Sequence, residues 1–190
     1  GCHSDDMLPR MRECAEAINS AGAASFLQIH HGGNAAKKKF TGRAPLAPSE
    51  IHNRQRTSEL PRAMTEEEIL MIVRAFAEAA GRAREAGFTG IELHGANTYL
   101  FQQFYSPYSN KRNDRWSSVP FENRSRFACE IVKAVRREVG RDYVISYRIS
   151  PEEDDPDGYS VKDSIELLKV LIPQGIDIVQ IVFVSAEEIM

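Results

Sequence analysis

Strand-like segments alternate with amphipathic helices along the chain, and this order constrains the fold more than any other feature of the sequence. Helices are predicted at 5–21, 65–86, 122–139 and 160–171, and strands at 25–30, 88–94, 143–150 and 176–184. Successive strands are separated by enough residues for a helix that crosses back over the sheet, which is how parallel strands are joined. The sequence therefore predicts an α/β fold with four parallel strands.

Local signals support this order. Thr65 is a good N-cap, and Glu68, three residues later, completes a capping box. Apolar residues then recur at helical spacing from Ile69 to Ala83. Residues 32–63 have no sustained period and are rich in glycine, proline and polar residues, so we expect a long loop there. A loop of that length in a compact domain is usually functional.

Side-chain alternation within the strands distinguishes a barrel from an open sheet. One face carries polar residues: Gln28, His30, Glu92, His94, Ser146, Arg148 and Gln180. The other face is apolar: Leu27, Ile29, Ile91, Leu93, Ile145, Tyr147, Ile149, Val179 and Ile181. A doubly wound sheet has helices on both faces and should be apolar on both, whereas a (β/α)8 barrel has helices only outside. The alternation favours a TIM (β/α)8 barrel.

The chain accounts for only part of such a barrel. Eight strands with their helices need roughly 250 residues, and four strands are predicted in these 190 residues. We therefore expect residues 1–190 to form a single partial domain, about half a barrel.

Composition excludes several classes of partner. The net charge of -3 comes without a long basic stripe, so we do not expect nucleic-acid binding. No apolar stretch approaches the ~20 residues of a membrane span. The three cysteines, Cys2, Cys14 and Cys129, are odd in number and lack CxxC spacing, which suits reduced thiols and a cytoplasmic location.

Barrel active sites gather at the C-terminal ends of the strands, and polar side chains occur there in this sequence. The stretch FTGIELHGANTYLFQQF at 88–104 places His94, Asn97 and Tyr99 where a strand ends. A neutral histidine and an asparagine one helical turn away can both donate to one oxygen and polarise a carbonyl group. The Tyr99 hydroxyl can then deliver a proton to the carbon that becomes basic. Arg148, on an inward face, requires a negative or electron-rich partner because its charge would otherwise be buried unpaired.

Other interpretations of these residues remain open. A single histidine or arginine on the inner face can be a satisfied structural residue, and the chain can be a non-catalytic barrel remnant. Glu92, His94 and His31 can also form a metal site of a lyase or aldolase barrel. The convergence of several polar groups on one rim favours a catalytic role.

Two long stretches carry a resemblance to a known family. AREAGFTGIELHGANTYLFQQFYSPYSNKRNDRW and the later ENRSRFACEIVKAVRREVG resemble the signature of the Old Yellow Enzyme family, which comprises FMN-dependent NAD(P)H:flavin oxidoreductases and ene-reductases. FLQIHHGGNAA and YRISPEE fall where that family has its other flavin-contacting strands. The HGAN sequence resembles bacterial flavin oxidoreductases, including the relatives of 2,4-dienoyl-CoA reductase.

The resemblance implies FMN as the cofactor and NAD(P)H as the reductant, and it assigns none of these residues to a metal. Gln28 would hydrogen-bond the pyrimidine edge of the flavin, and Arg148 would lie beside its N1–O2 region. His94 and Asn97 would hold the carbonyl or phenolic oxygen of a small-molecule substrate such as an α,β-unsaturated carbonyl compound. Tyr99 would protonate the α-carbon after hydride from flavin N5 reaches the β-carbon.

The resemblance also implies that the sequence is an internal fragment. The first two and last two barrel strands, and the loops that hold the FMN phosphate, would lie outside it, so the fragment alone is expected to be inactive. Its open edge strands, near 25–30 and 176–184, can pair with those of a second copy, which predicts a homodimer. The family's arginine after HxG stands here as Asn34, and its glycine pair as Ser117 and Ser118.

Overall fold

A parallel sheet of four strands forms the centre of the protein in this computed structural model, which describes residues 2–52 and 59–183. In chain order the strands are β1 (Phe26–Ile29), β2 (Leu46–Ala47), β3 (Arg62–Ala63), β4 (Gly90–Gly95), β5 (Val144–Ile149) and β6 (Ile178–Ile181). The main sheet has the order β1-β4-β5-β6, and β2 pairs with β3 in a separate small sheet. The four predicted parallel strands are confirmed, although the predicted residue 184 lies outside the described residues.

Seven α-helices lie within the described residues: α1 (Leu8–Ser20), α2 (Lys38–Thr41), α3 (Glu66–Glu85), α4 (Leu100–Tyr105), α5 (Phe121–Arg124), α6 (Arg126–Val139) and α7 (Val161–Leu171). The predicted capping box of α3 is present, because Thr65 Oγ1 accepts from the Glu68 N–H and the Glu68 carboxylate accepts from the Thr65 N–H. None of the described helices is both long and apolar enough to cross a bilayer.

Two predictions of secondary structure were wrong in detail, and one helix was not predicted. The predicted helix at 122–139 is two helices, α5 and α6, which meet at Ser125. The predicted loop at 32–63 contains α2 and the strands β2 and β3, which are too short to produce a sequence period; its residues 53–58 lie outside the described residues. Helix α4 was not predicted, because all of its residues are buried and it has no exposed polar face to create the usual pattern.

The strands pair in a register that aligns the polar residues across the sheet. Gln28 of β1 lies opposite Glu92 of β4, which lies opposite Ser146 of β5. Two residues further along, His94 lies opposite Arg148, and Arg148 opposite Gln180 of β6. We call this side of the sheet the polar face, with Gln28, Glu92, His94, Ser146, Arg148 and Gln180 as its members.

The opposite face of the sheet is apolar and carries the helices. Ile91, Leu93, Ile145 and Tyr147 are buried in one cluster with the inner stripes of α1, α3, α6 and α7. Helices on one side and polar residues on the other agree with a segment of a barrel wall. Ile181, also on this face, is 59% exposed because β6 is an edge strand in the described structure.

Arg136, near the end of α6, connects that helix to the starts of β5 and β6. Its guanidinium donates to the carbonyl of Tyr143 at 2.6 Å and to the carboxylate of Asp177 at 2.7 Å. The same carboxylate accepts from the N–H of Ile145 at 2.8 Å. The half-buried guanidinium of Arg136 therefore fixes the end of α6 relative to the starts of β5 and β6.

We predict that Arg136→Ala lowers the free energy of unfolding by about 2–3 kcal/mol, because several charge-assisted hydrogen bonds are lost together. Urea unfolding of the complete protein, followed by circular dichroism, measures this change. Arg137→Ala is the matched control: Arg137 is exposed on the same helical turn, and its loss should cost less than about 0.5 kcal/mol. Equal effects of the two substitutions would contradict the role given to Arg136.

Candidate active site

Three aromatic rings meet at the C-terminal ends of β1 and β4. The ring of Tyr99 lies 5.0 Å from that of His94 in an edge-on contact and 5.0 Å from that of His30. His94 is buried, with 6% of its surface exposed, whereas His30 is exposed. The sequence predicted that His94 and Tyr99 lie together and placed His30 on the polar face of its strand; the structure brings the three rings into contact.

The chain leaves β4 through a strained turn rather than a helix. Asn97 and Thr98 have φ values of 57° and 58°, in the left-handed region. This region is unfavourable for a β-branched residue such as Thr98, and such strain concentrates at functional sites. The expectation that Asn97 follows His94 by one helical turn was wrong, because His94 still belongs to the strand and α4 begins only at Leu100.

Side-chain hydrogen bonds hold this turn from three directions. The N–H of Asn97 donates to Ser150 Oγ at 3.2 Å, and the N–H of Thr98 donates to Gln102 Oε1 at 2.8 Å. The carbonyl of Thr98 accepts from Gln103 Nε2 at 2.6 Å. These bonds determine the direction in which Asn97 and Tyr99 leave the strand.

Gln103 also connects this turn to the loop that follows β1. Its Nε2 donates to the carbonyl of Gly32 at 3.2 Å, and its Oε1 accepts from the N–H of Asn34 at 3.0 Å. Gly33, between them, has a φ of +59°, and a Cβ at this position would collide with Gln103. The amide of Asn34 donates to the carbonyl of Ile51 at 3.3 Å, so Asn34 contributes to the structure of this loop.

Gln102 makes the corresponding connection to the loop after β5. Its Nε2 donates to the carboxylate of Glu153 at 3.0 Å, and Ser106 Oγ donates to the same carboxylate. Burial raises the pKa of Glu153 above its ordinary value, although these hydrogen bonds oppose the shift. The two adjacent glutamines of α4 thus link the loops after β1, β4 and β5.

A cavity of about 280 Å³ opens between these loops. Among the residues that line it are Asn34, Asn97, Gln102, Ser150 and Glu153. Within the described residues, Asn97 Oδ1 is buried without a hydrogen-bond partner. His94, Tyr99, Gln28 and Arg148 are not among the residues that line this cavity; Gln28, His94 and Arg148 lie on the polar face of the sheet.

The polar face is organised around the carboxylate of Glu92. Gln28 Nε2 donates to Glu92 Oε1 at 2.8 Å, and Ser146 Oγ donates to Oε2 at 3.2 Å. A carboxylate only accepts hydrogen bonds, so Gln180 must turn its amide nitrogen to Glu92, at 2.6 Å from Oε2. The sequence identified Glu92 only as a possible metal ligand; its position in register between Gln28 and Ser146 was the signal that could have revealed these contacts.

Arg148 is on the same face, two residues after Ser146 and paired with His94, and it is half-buried. Its Nε is buried and lacks a hydrogen-bond partner among residues 2–52 and 59–183, and no ion pair joins Arg148 to any of them. A cation in this state can stabilise an electron-rich group placed on the polar face. The residues therefore fit a flavin ring: Arg148 offers a positive charge, and the exposed amide of Gln28 offers hydrogen bonds.

His31 does not join these residues in a metal site. Burial, followed by the nearby charges of His30 and Arg43, lowers the pKa of His31 to about 4, so its imidazole is neutral near neutral pH. Its Nδ1 accepts from the N–H of Gly33 at 3.1 Å. In the part of the chain that the structure describes, no three His, Cys, Asp or Glu side chains are arranged to hold a metal ion. The geometry therefore does not support the metal-dependent alternative.

Comparison with known proteins supplies the family. The family described as NADH:flavin oxidoreductase / NADH oxidase matches residues 1–189. The NADH:fumarate oxidoreductase of Klebsiella pneumoniae is 39% identical over 182 residues, which are 93% of this chain and 20% of that protein. A probable NADH-dependent flavin oxidoreductase of Bacillus subtilis is 38% identical over 184 residues, covering 94% of this chain and 49% of that protein. The chain thus spans half or less of the length of these curated relatives.

Solved structures of several enzymes are similar to this chain. A 2-naphthoyl-CoA reductase in complex with 2-naphthoyl-CoA superposes with a TM-score of 0.91 and 30% identity, covering 97% of this chain and 30% of that one. Morphinone reductase in complex with tetrahydroNAD has a TM-score of 0.86 and 27% identity, covering 95% and 55%. The Old Yellow Enzyme homologue from Zymomonas mobilis has a TM-score of 0.84 and 25% identity, covering 95% and 54%. The α/β fold is part of the TIM barrel of these enzymes, and the chain belongs to the NADH:flavin oxidoreductase / NADH oxidase family, whose members bind FMN and use NAD(P)H as reductant.

Proposed function

We propose that the protein is an FMN-dependent NAD(P)H oxidoreductase of the ene-reductase type, which reduces activated C=C bonds or quinone-like acceptors. The observation that carries this proposal is the arrangement on the polar face. A half-buried Arg148 without an ionic partner among the described residues lies in register with His94, whose ring contacts Tyr99. The oxidoreductase names of the relatives agree with this chemistry.

Gln28 and Arg148 are proposed to hold the flavin ring. FMN bound there would supply the hydride-transfer chemistry between NAD(P)H and the substrate. Arg148 offers a positive charge to the region of the ring where negative charge accumulates on reduction. Gln28 offers its amide to the pyrimidine edge.

His94, Asn97 and Tyr99 are proposed to act on the substrate. His94 and Asn97 hold a carbonyl or phenolic oxygen, which draws electron density away from the conjugated double bond. Tyr99 donates its hydroxyl proton to the α-carbon. The contacts of Tyr99 with His94 and His30 restrict the directions in which that hydroxyl can point.

We place this enzyme in the cytoplasm, and we treat residues 1–190 as one partial barrel domain. All three cysteines of the chain are free in the described structure, which favours a reducing compartment.

Tyr99→Phe separates the two half-reactions. Only the reduction of the alkene needs the proton, so we expect that step to slow by about a hundredfold or more. Reduction of bound flavin by NAD(P)H should remain nearly unchanged. Stopped-flow absorbance of the complete, FMN-loaded protein measures both rates with 2-cyclohexenone as the alkene.

Tyr143→Phe is the control for that experiment. Tyr143 precedes β5 at the opposite end of the sheet, and its buried hydroxyl has no hydrogen-bond partner in the described structure. Both rates should be unaffected by this change. A Tyr99→Phe protein that reduces the alkene at the normal rate would refute the assigned role of Tyr99.

We propose that residues 1–190, produced by themselves, bind FMN poorly and are inactive. The groups assigned to the flavin ring, Gln28 and Arg148, belong to the four strands of the main sheet, whereas the site of a complete barrel is built from the loops that follow all eight strands. Titration of FMN fluorescence with this chain should give a dissociation constant weaker than about 100 μM, corresponding to roughly −5.5 kcal/mol. Micromolar or tighter binding would contradict the proposal.

We also propose that the same chain pairs with a second copy through its open edges. Strands β1 and β6 are the edges of the sheet, and Phe26 and Ile181 there are 37% and 59% exposed. Such edges pair readily with another chain. Sedimentation velocity should show a dimer that Ile181→Lys disrupts, and a monomer at high concentration would rule the pairing out.

A further inference from the structure

Glu92 lies on the polar face with a partner from each of the other three strands of the main sheet. Gln28 of β1 donates to one oxygen at 2.8 Å, and Ser146 of β5 donates to the other at 3.2 Å. Gln180 of β6 presents its amide nitrogen at 2.6 Å. All three donors are neutral, so the negative charge of Glu92 is held by hydrogen bonds rather than by an ion pair.

These contacts determine which way the amide of Gln28 faces. A carboxylate has no proton to donate, and an amide oxygen placed against it would be repelled. The Nε2 of Gln28 must therefore point toward Glu92, and its Oε1 must point away. Gln28 itself is exposed on the open polar face, so without this contact either end of the amide could turn outward.

We infer that Glu92 is a positioning residue for FMN, because it fixes the amide of Gln28 with the oxygen outward as a hydrogen-bond acceptor. The pyrimidine edge of a flavin carries an imide N–H, which requires such an acceptor. A Gln28 side chain in the reverse orientation would place two donors against this N–H. The inference rests on the proposed FMN-binding function and adds a determinant that does not itself contact the flavin.

A double-mutant cycle tests this role. FMN binding to the complete apoprotein is measured by fluorescence titration for wild type, Gln28→Ala, Glu92→Gln and the double variant. Glutamine at position 92 has the same size but can offer either a donor or an acceptor, so Gln28 loses its fixed orientation. We expect Glu92→Gln to weaken FMN binding about tenfold, the upper value for one hydrogen bond between neutral groups, here the Gln28 amide oxygen and the flavin imide N–H.

The double variant provides the decisive comparison. If Glu92 acts through Gln28, the double variant binds FMN no more than roughly twofold more weakly than Gln28→Ala alone. A general structural role would instead weaken binding again by about tenfold in that background and overturn the inference. Thermal unfolding of each apoprotein shows whether the fold is retained.

A second substitution covers the case in which Glu92→Gln does not fold. Glu92→Asp keeps the charge but withdraws the carboxylate from Gln28 by one methylene group, so FMN binding should again weaken only when Gln28 is present. Unchanged FMN affinity in both Glu92 variants would overturn the inference while leaving the proposed function intact. A wild-type protein that does not bind FMN would instead refute the proposed function itself.

Discussion

Parallel pairing in a single register is the constraint on which the rest of the structure depends. Because side chains two residues apart share a face, the pairing of Gln28 with Glu92 also fixes where His94 and Arg148 lie. A shift of one residue would exchange the polar and apolar faces and bury charged groups against the helices. The apolar face, packed against α3 and α6, prevents that shift and so holds the polar face in place.

The loops at the strand ends are held by hydrogen bonds from a short buried helix. Gln102 and Gln103 of α4 are almost fully buried, and together they bond to the loops after β1, β4 and β5. Leaving such buried amides unsatisfied would cost about 1–3 kcal/mol each. The same contacts hold the left-handed turn at Asn97 and Thr98, which would otherwise relax, so the direction of Tyr99 follows from the packing of α4.

The two charged residues of the polar face, Glu92 and Arg148, differ in their surroundings. The carboxylate of Glu92 is satisfied by neutral side chains, and no ion pair joins it to Arg148 in the described structure. A direct pair would neutralise both groups and remove the charge of Arg148 from use by a ligand. Since an uncompensated, half-buried arginine is costly, its retention is consistent with a binding role rather than with stability.

The sequence alone determined the order of the elements and the parallel sheet with one polar and one apolar face, because these follow from local periodicity. It also identified the site candidates from the residue types at strand ends: Gln28, His94, Asn97, Tyr99 and Arg148. It could not reveal α4, since a helix buried on all sides has no amphipathic pattern. It placed Asn97 one helical turn from His94, whereas hydrogen bonds from Ser150, Gln102 and Gln103 hold a left-handed turn there. Only the tertiary structure revealed the contacts of Glu92, because they join strands that are more than fifty residues apart in the chain. It likewise revealed that Arg148 forms no ion pair among the described residues.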